Sequence, residues 1–344
     1  MRFNRAFNLR DGGGRKLHRC PDDRALRPQA ALLAGVAGLA GVSVATMAAP
    51  LSATAGSPAV AAHIVPYEVR YEISLKDAEE RAGIVIADGT LLSRLSGSAC
   101  AGWSTDSRMA VRFVFRREGE RETASHVASW ESDDGNQFVS RIERRLNGRV
   151  VERIRVAVER PAANQPFRLM MTMPKKQEGT LPAQTLFPTI ALKKLLAAAQ
   201  AGERSLSLLL YEGDEDAAPQ RVAVLIGKRR KAAGMADNVQ AGQGGSAKAT
   251  PKPASGDGRQ EMKALQGRAY WPVSMAYYGP VRNRDGSKPS EKEREASRAG
   301  LPEYEVHFRL YENGITGNAT LIYPEYTLRA KVHSIRLLPQ EKCD

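Results

Sequence analysis

The sequence predicts an all-β protein, a long antiparallel sheet that curls into a half-open barrel or spiral and carries one amphipathic helix. Three observations lead there. Apolar and polar residues alternate at period two in several separate stretches, Asx-Gly pairs lie beside them, and a single segment shows helical spacing.

The first element is a leader. Arg2, Arg5, Arg10, Arg15 and Lys16 are among the charges of a basic stretch that runs into AALLAGVAGLAGVSVATMAA, followed by the small-x-small sites Ala53-Thr54-Ala55 and Ala59-Val60-Ala61. Basic region, apolar core and cleavage site in that order read as a secretory signal peptide over residues 1–61. The apolar run is about long enough to cross a bilayer, but its Ala and Gly content makes a poor anchor. No cysteine just after it could carry a lipid, and no later stretch is apolar for long enough to span. The expectation is a soluble exported protein that meets membranes peripherally at most.

The leader holds eight of the 51 basic and three of the 38 acidic residues, leaving 43 against 35 and a net charge of +8. Such a charge favours weak association with anionic headgroups or acidic polymers and says nothing about fold. No nucleic-acid motif accompanies it, so nucleic acid is not an expected partner. Cleavage also removes Cys20 and leaves Cys100 and Cys343. An even pair in an oxidising compartment implies one disulfide pinning the C-terminus; two unconnected buried thiols and a catalytic Cys100 are the alternatives.

Residues 62–344 read as one domain of strands. Tyr67, Val69, Tyr71, Ile73 and Leu75 alternate with Glu68, Arg70, Glu72 and Ser74, the pattern of a half-buried antiparallel strand. The same period returns at Met109 to Phe115, Ile154 to Val158 and Tyr304 to Leu310. Asp88-Gly89, Asp134-Gly135, Asn147-Gly148 and Asn313-Gly314 are expected to be hairpin turns, because both central positions of a tight hairpin require positive φ. So many strands must hide their edges, which favours winding the sheet up.

Between these strands, TLFPTIALKKLLAAAQAGE breaks the period. Ile190, Leu192, Leu195, Leu196 and Ala199 follow helical spacing between Pro188 and Gly202, a start and a stop signal. One helix in a curled sheet is expected to cover its concave side. Residues 229–262 contain almost no large apolar side chain and read as a disordered insertion, while the charged stretch from Arg282 reads as a solvated hairpin tip.

Catalytic chemistry finds little support. His63, His126, His307 and His333 are widely spread without metal-ligand spacing, so no metal site is expected. No nucleophile elbow or phosphate loop occurs, so no catalytic or cofactor-binding residues and no cofactor are assigned. Gly97-Ser98-Ala99-Cys100 is the nearest candidate for a hydrolase, and the cluster Glu131, Asp133 and Asp134 is better read as turn chemistry before Gly135. Trp103, Trp130 and Trp271 read as core or rim residues. An apolar concavity lined by such residues could still accept an acyl chain.

Four segments together resemble a known family: GSACAGW from Gly97, LPAQTLFPT from Leu181, LLLYEGDED from Leu208 and YENGITGNATLIYPEYTLRAKVHSIRLLPQEKC from Tyr311. They resemble the EipB family of alphaproteobacterial cell-envelope integrity proteins, across essentially the whole chain after the leader. The resemblance implies a periplasmic β-spiral wound around a helix, bridged by a disulfide that here would join Cys100 to Cys343. It also implies likeness to the lipoprotein carriers LolA and LolB, and no enzymatic residues. The expected function is therefore non-enzymatic maintenance of envelope integrity through binding a lipid, a lipoprotein or a periplasmic protein. A periplasmic hydrolase and a polymer-binding or adhesin module are the alternatives.

Overall fold

The protein is described here by a computed structural model over residues 63–214, 217–231, 264–278, 301–341 and 343; the expected signal peptide and residues 232–262 of the expected insertion lie outside these. The first half is a meander. Its strands are β1 (Tyr67–Ala78), β2 (Ile84–Ser98), β3 (Gly102–Phe115), β4 (Gly119–Glu131), β5 (Gln137–Leu146), β6 (Arg149–Glu159), β7 (Phe167–Met173) and β8 (Gln177–Leu181). The short β9 (Thr185–Leu186) leads into helix α1 (Pro188–Ala201), followed by β10 (Ser205–Leu210), β11 (Gln220–Ile226) and β12 (Arg230–Lys231). The last strands are β13 (Ala269–Tyr278), β14 (Tyr304–Tyr311), β15 (Thr316–Ile322) and β16 (Tyr326–Leu337).

All sixteen belong to one sheet, nearly closed into a barrel, in the order β8-β7-β6-β5-β4-β3-β2-β1-β16-β15-β14-β13-β11-β10-β9, with β12 beside β13. The first and last strands are therefore neighbours at its middle, paired antiparallel from Tyr67 opposite Leu337 to Ala78 opposite Tyr326. The two ends of the sheet are consecutive in sequence, since only residues 182–184 separate β8 from β9. Arg160 braces this seam. Its guanidinium donates to Asn136 Oδ1, to the Gln165 carbonyl and to the Ala183 carbonyl, and stacks 3.9 Å from the centre of the Phe167 ring.

Alternation decides which face turns inward. Tyr67, Val69, Tyr71 and Ile73 of β1, and Met109, Val111 and Phe113 of β3, are buried, while the intervening charged residues face water. Tyr71 donates a buried hydrogen bond of 2.9 Å to the Thr316 carbonyl, tying β1 to β15 across β16. Helix α1 fills the space that the curl encloses: Leu192, Leu195 and Leu196 join one apolar core with residues of β1 to β3 and β10 to β16. A second core holds Phe138, Ile142, Val156, Leu169 and Met171 of β5 to β7 together with Phe187 and Tyr211.

Two expectations change. Asp88-Gly89 is not a turn; it lies inside the continuous strand β2, and the turn falls instead at residues 79–83. Gly89 is there for close approach, because a Cβ at this position would stand 2.1 Å from the Ala110 carbonyl oxygen of β3. Arg229 to Lys231, counted with the insertion, instead continue the sheet: Arg230 and Lys231 pair with Tyr270 and Ala269, and Arg229 bridges to Glu312. Of the other Asx-Gly pairs, Asn147-Gly148 forms the expected two-residue hairpin with both φ values positive, and the remaining two sit in longer links.

Since Leu196 is fully buried at the centre of the enclosed core, Leu196→Ala is expected to lower stability by about 2–5 kcal/mol, read as a fall in the urea midpoint at unchanged slope.

Candidate functional site

The turn at residues 99–101 between β2 and β3 carries Cys100, which is bonded to Cys343 across a separation of 243 residues with a Cα–Cα distance of 5.7 Å. Both cysteines are exposed at the surface. Ser98 is occupied by the same turn: its Oγ lies 3.2 Å from Cys100 Sγ and accepts from the Ala101 amide. Among the described residues, no histidine or carboxylate hydrogen-bonds to it. The Trp130 ring covers the turn, donating to the Ala101 carbonyl, and a Cβ on Gly102 would come within 2.8 Å of that ring.

The acidic cluster separates in space. Glu131, the last residue of β4, points inward and accepts from the backbone amides of Thr189 and Ile190 in the first turn of α1. Phe187 provides no side-chain cap, so this carboxylate from another element satisfies orphan donors at the positive end of the helix. Burial nevertheless dominates and pushes the Glu131 carboxyl up to about 7, against the lowering effect of the Thr189 and Ile190 hydrogen bonds and of Lys193. Asp133 bonds Lys193 and accepts from Trp103 Nε1 at 2.6 Å, and Asp134 organises its own turn through Ser132 and Asn136. All three carboxylates thus serve to dock α1 or shape the turn. Among the described residues, no group of His, Cys, Asp and Glu is placed to hold a metal ion.

The interior also contains a polar strip that separates the two apolar cores. Gly213 sits against β5 at φ +92°, where a Cβ would meet Ser140 at 2.6 Å. This carries Asp214 to Arg144, whose Nη2 donates to it at 2.7 Å while Nη1 bonds Glu152. Burial alone would lower the Arg144 guanidinium, but Asp214 and Glu152 together hold it above its usual value. Glu212 faces Tyr277 and Tyr304; burial first and the Asp214 carboxylate second push it well above the usual carboxylate range, opposed by Arg144. Tyr277 and Tyr304 stack at 4.2 Å, and the series continues through Tyr323 to Tyr326.

On the outside, a shallow groove of about 590 Å³ crosses β1 to β5, and its lining includes Arg70, Thr90, Arg108, Ala124, Glu143 and Arg145. Three of the four described histidines make ordinary surface contacts, His126 with Asp106, His307 with Glu305 and His333 with Glu72, and His63 is exposed. Trp103 and Trp271 are core residues, and Trp130 is half-buried on the outer face.

Sequence reasoning missed the Glu131 anchor and the Arg144–Glu152–Asp214 network. For the network a signal was present. Arg144 continues the inward phase of Phe138, Ser140 and Ile142, and Glu152 that of Ile154 and Val156, so opposite charges fall inward on adjacent strands.

A family model described as EipB-like matches residues 58–339. The chain belongs to the EipB-like family. The cell envelope integrity protein EipB of Brucella abortus (strain 2308) is 28% identical over 285 residues, covering 81% of this chain and 86% of that protein. A solved structure described as a beta-barrel-like protein of a domain of unknown function, DUF1849, also from Brucella abortus, aligns with a TM-score of 0.65 at 23% identity, covering 81% of this chain and all of that one. That similarity is one of fold. Within this EipB-like chain, two of the segments that carry the family resemblance coincide with the features above: GSACAGW is the disulfide turn, and YEGD is the strip that crosses the interior.

Cys100→Ser and Cys343→Ser are expected to lower stability equally, and the double variant no further, since each removes the same bond; the loss is bounded at about 5 kcal/mol by the chain-entropy model. Guanidinium unfolding without reductant measures it, and a double variant much weaker than either single one contradicts the bond. Glu131 makes a pH-dependent contribution. Its carboxyl binds the proton more tightly in the folded chain than at the ordinary value of 4.5, so stability is expected to fall by about 3 kcal/mol as pH rises from about 4.5 to about 7, then to level off. Glu131→Gln flattens that slope in unfolding midpoints taken across the range.

Proposed function

We propose that the protein maintains the cell envelope from the periplasm as a non-enzymatic binding protein, acting on a lipid, a lipoprotein or a periplasmic protein partner. Family membership, with a relative named for envelope integrity, carries this reading. The disulfide supports the oxidising compartment, and the basic, export-type leader supports delivery to it.

The packed interior favours partners that engage the surface. Leu192, Leu195 and Leu196 of α1 occupy the volume that an acyl chain would need inside the curl, so a lipid-loaded form requires the helix to move.

Deleting the gene is expected to sensitise cells to detergents and to cell-wall antibiotics, and unchanged sensitivity under several such stresses would count against the role. Complementation by Ser98→Ala and by Asp134→Ala is expected to be complete; failure of either variant while still folded would restore the hydrolase reading. The native mass of protein purified from the periplasm is expected to equal its denatured mass, and extra native mass identified as lipid would make it a carrier.

A further inference from the structure

Two adjacent rows of side chains run across the outer face of the sheet near the disulfide. One is apolar: Trp130, Val139, Ala157 and Met170 stand opposite one another on β4, β5, β6 and β7. Val139 is 41% and Met170 44% exposed, Ala157 is exposed and Trp130 half-exposed. Three strand spacings give the row a length of about 14 Å. Other exposed apolar residues of the described chain lie off this row, Val150 and Val151 at the opposite end of β6 and Leu225 and Leu337 on other strands; a continuous row of this kind marks an interaction surface, where scattered single residues do not.

The next row places Arg94, Asp106, Ala128, Arg141 and Arg155 side by side. Asp106 is already engaged by Arg108 and His126. Arg94, Arg141 and Arg155 are exposed and form no ion pair among the described residues. Arg141 and Arg155 are direct cross-strand neighbours, an arrangement of like charges that costs stability in the isolated protein. An anionic counterpart removes that cost. Beyond the arginine row begins the outer groove, whose lining includes Arg70, Arg108 and Arg145 together with Glu143. An apolar row bearing a tryptophan, bordered by unpaired arginines, matches the boundary of a bilayer, where acyl chains adjoin phosphates and indole rings settle at headgroup level.

We propose that the outer face of β2 to β7 docks on an anionic lipid bilayer, with Trp130, Val139 and Met170 entering the headgroup boundary and Arg94, Arg141 and Arg155 meeting lipid phosphates. The apolar row is too short to hold the protein alone, so docking depends on both rows and is reversible and salt-sensitive. The inference deepens the envelope role and rests on it only for which membrane is met; vesicle binding is measured independently of it.

The test uses the protein without its leader, disulfide intact, with phosphatidylglycerol–phosphatidylcholine vesicles against pure phosphatidylcholine. The protein is expected to co-sediment with the anionic vesicles alone, to show a blue shift in emission and to be quenched by brominated lipids, both effects being lost in Trp130→Phe because Trp103 and Trp271 are buried. Arg141→Glu with Arg155→Glu is expected to weaken binding at least about tenfold, and Val139→Asp to abolish the blue shift. Arg329→Glu with Lys331→Glu, the same charge change on exposed residues of β16, is expected to retain binding; circular dichroism and thermal unfolding check that each variant folds. Equal loss in both charge-reversed proteins would reduce the effect to non-specific adsorption and overturn the proposal. So would binding without a Trp130 shift, or a Trp130 shift that tracks protein concentration without vesicles, which would assign the face to a second copy of the chain. Absence of vesicle binding would overturn it too, and would leave the deletion phenotype untouched.

Discussion

The pairing of β1 with β16 is the interaction on which the rest of the architecture depends. These strands come from the two ends of the described chain yet lie at the middle of the sheet, with one meander on each side of them. Until they meet, the meanders have no common face, and the apolar core that unites β1 to β3 with β10 to β16 cannot close around α1. Such contacts are expensive to form because a loop of most of the chain must close first, and topologies dominated by distant pairings fold slowly. The Cys100–Cys343 bond ties the β2–β3 turn to the chain just beyond the end of β16, so a covalent link reinforces the joining of the chain's distant parts.

Within that frame the helix and the polar strip divide the interior. Helix α1 needs a partner for its first amides and receives one from Glu131, because Phe187 has no side-chain acceptor to offer. The YEGD segment takes the remaining space between the two apolar cores, where Arg144 must be matched by carboxylates to be buried at all. Tyr211 belongs to one core, and Asp214 fastens the segment to β5. Removing one partner of such a network strands a charge in the interior, which ties the position of the segment to the integrity of the whole curl.

Much of this was legible from residue order. The alternation at Tyr67 to Leu75 and at Tyr304 to Leu310 directly identified strands and their buried faces, and Pro188 and Gly202 bracketed the helix to the residue. Periodicity failed where one residue type serves two purposes. Asp88-Gly89 has the composition of a hairpin turn, but its glycine is required by the backbone of the adjacent strand, information that lies in β3 and not in the local sequence. Asp133 and Glu131 likewise read as turn residues because their partners, Lys193 and the first amides of α1, are some sixty positions away.

The winding has a consequence for how the protein behaves in company. A sheet of sixteen strands would ordinarily present two long rims of unpaired amides and carbonyls, each able to recruit a strand from another chain. Here the terminal strands of the path are β8, five residues long, and β9, only two, and Arg160 clamps the link between them. Lys175 and Lys176 stand immediately before β8, with Glu178 exposed on it. With its long strands in the interior of the path and its shortest at the rim, the sheet leaves little backbone on offer for aggregation.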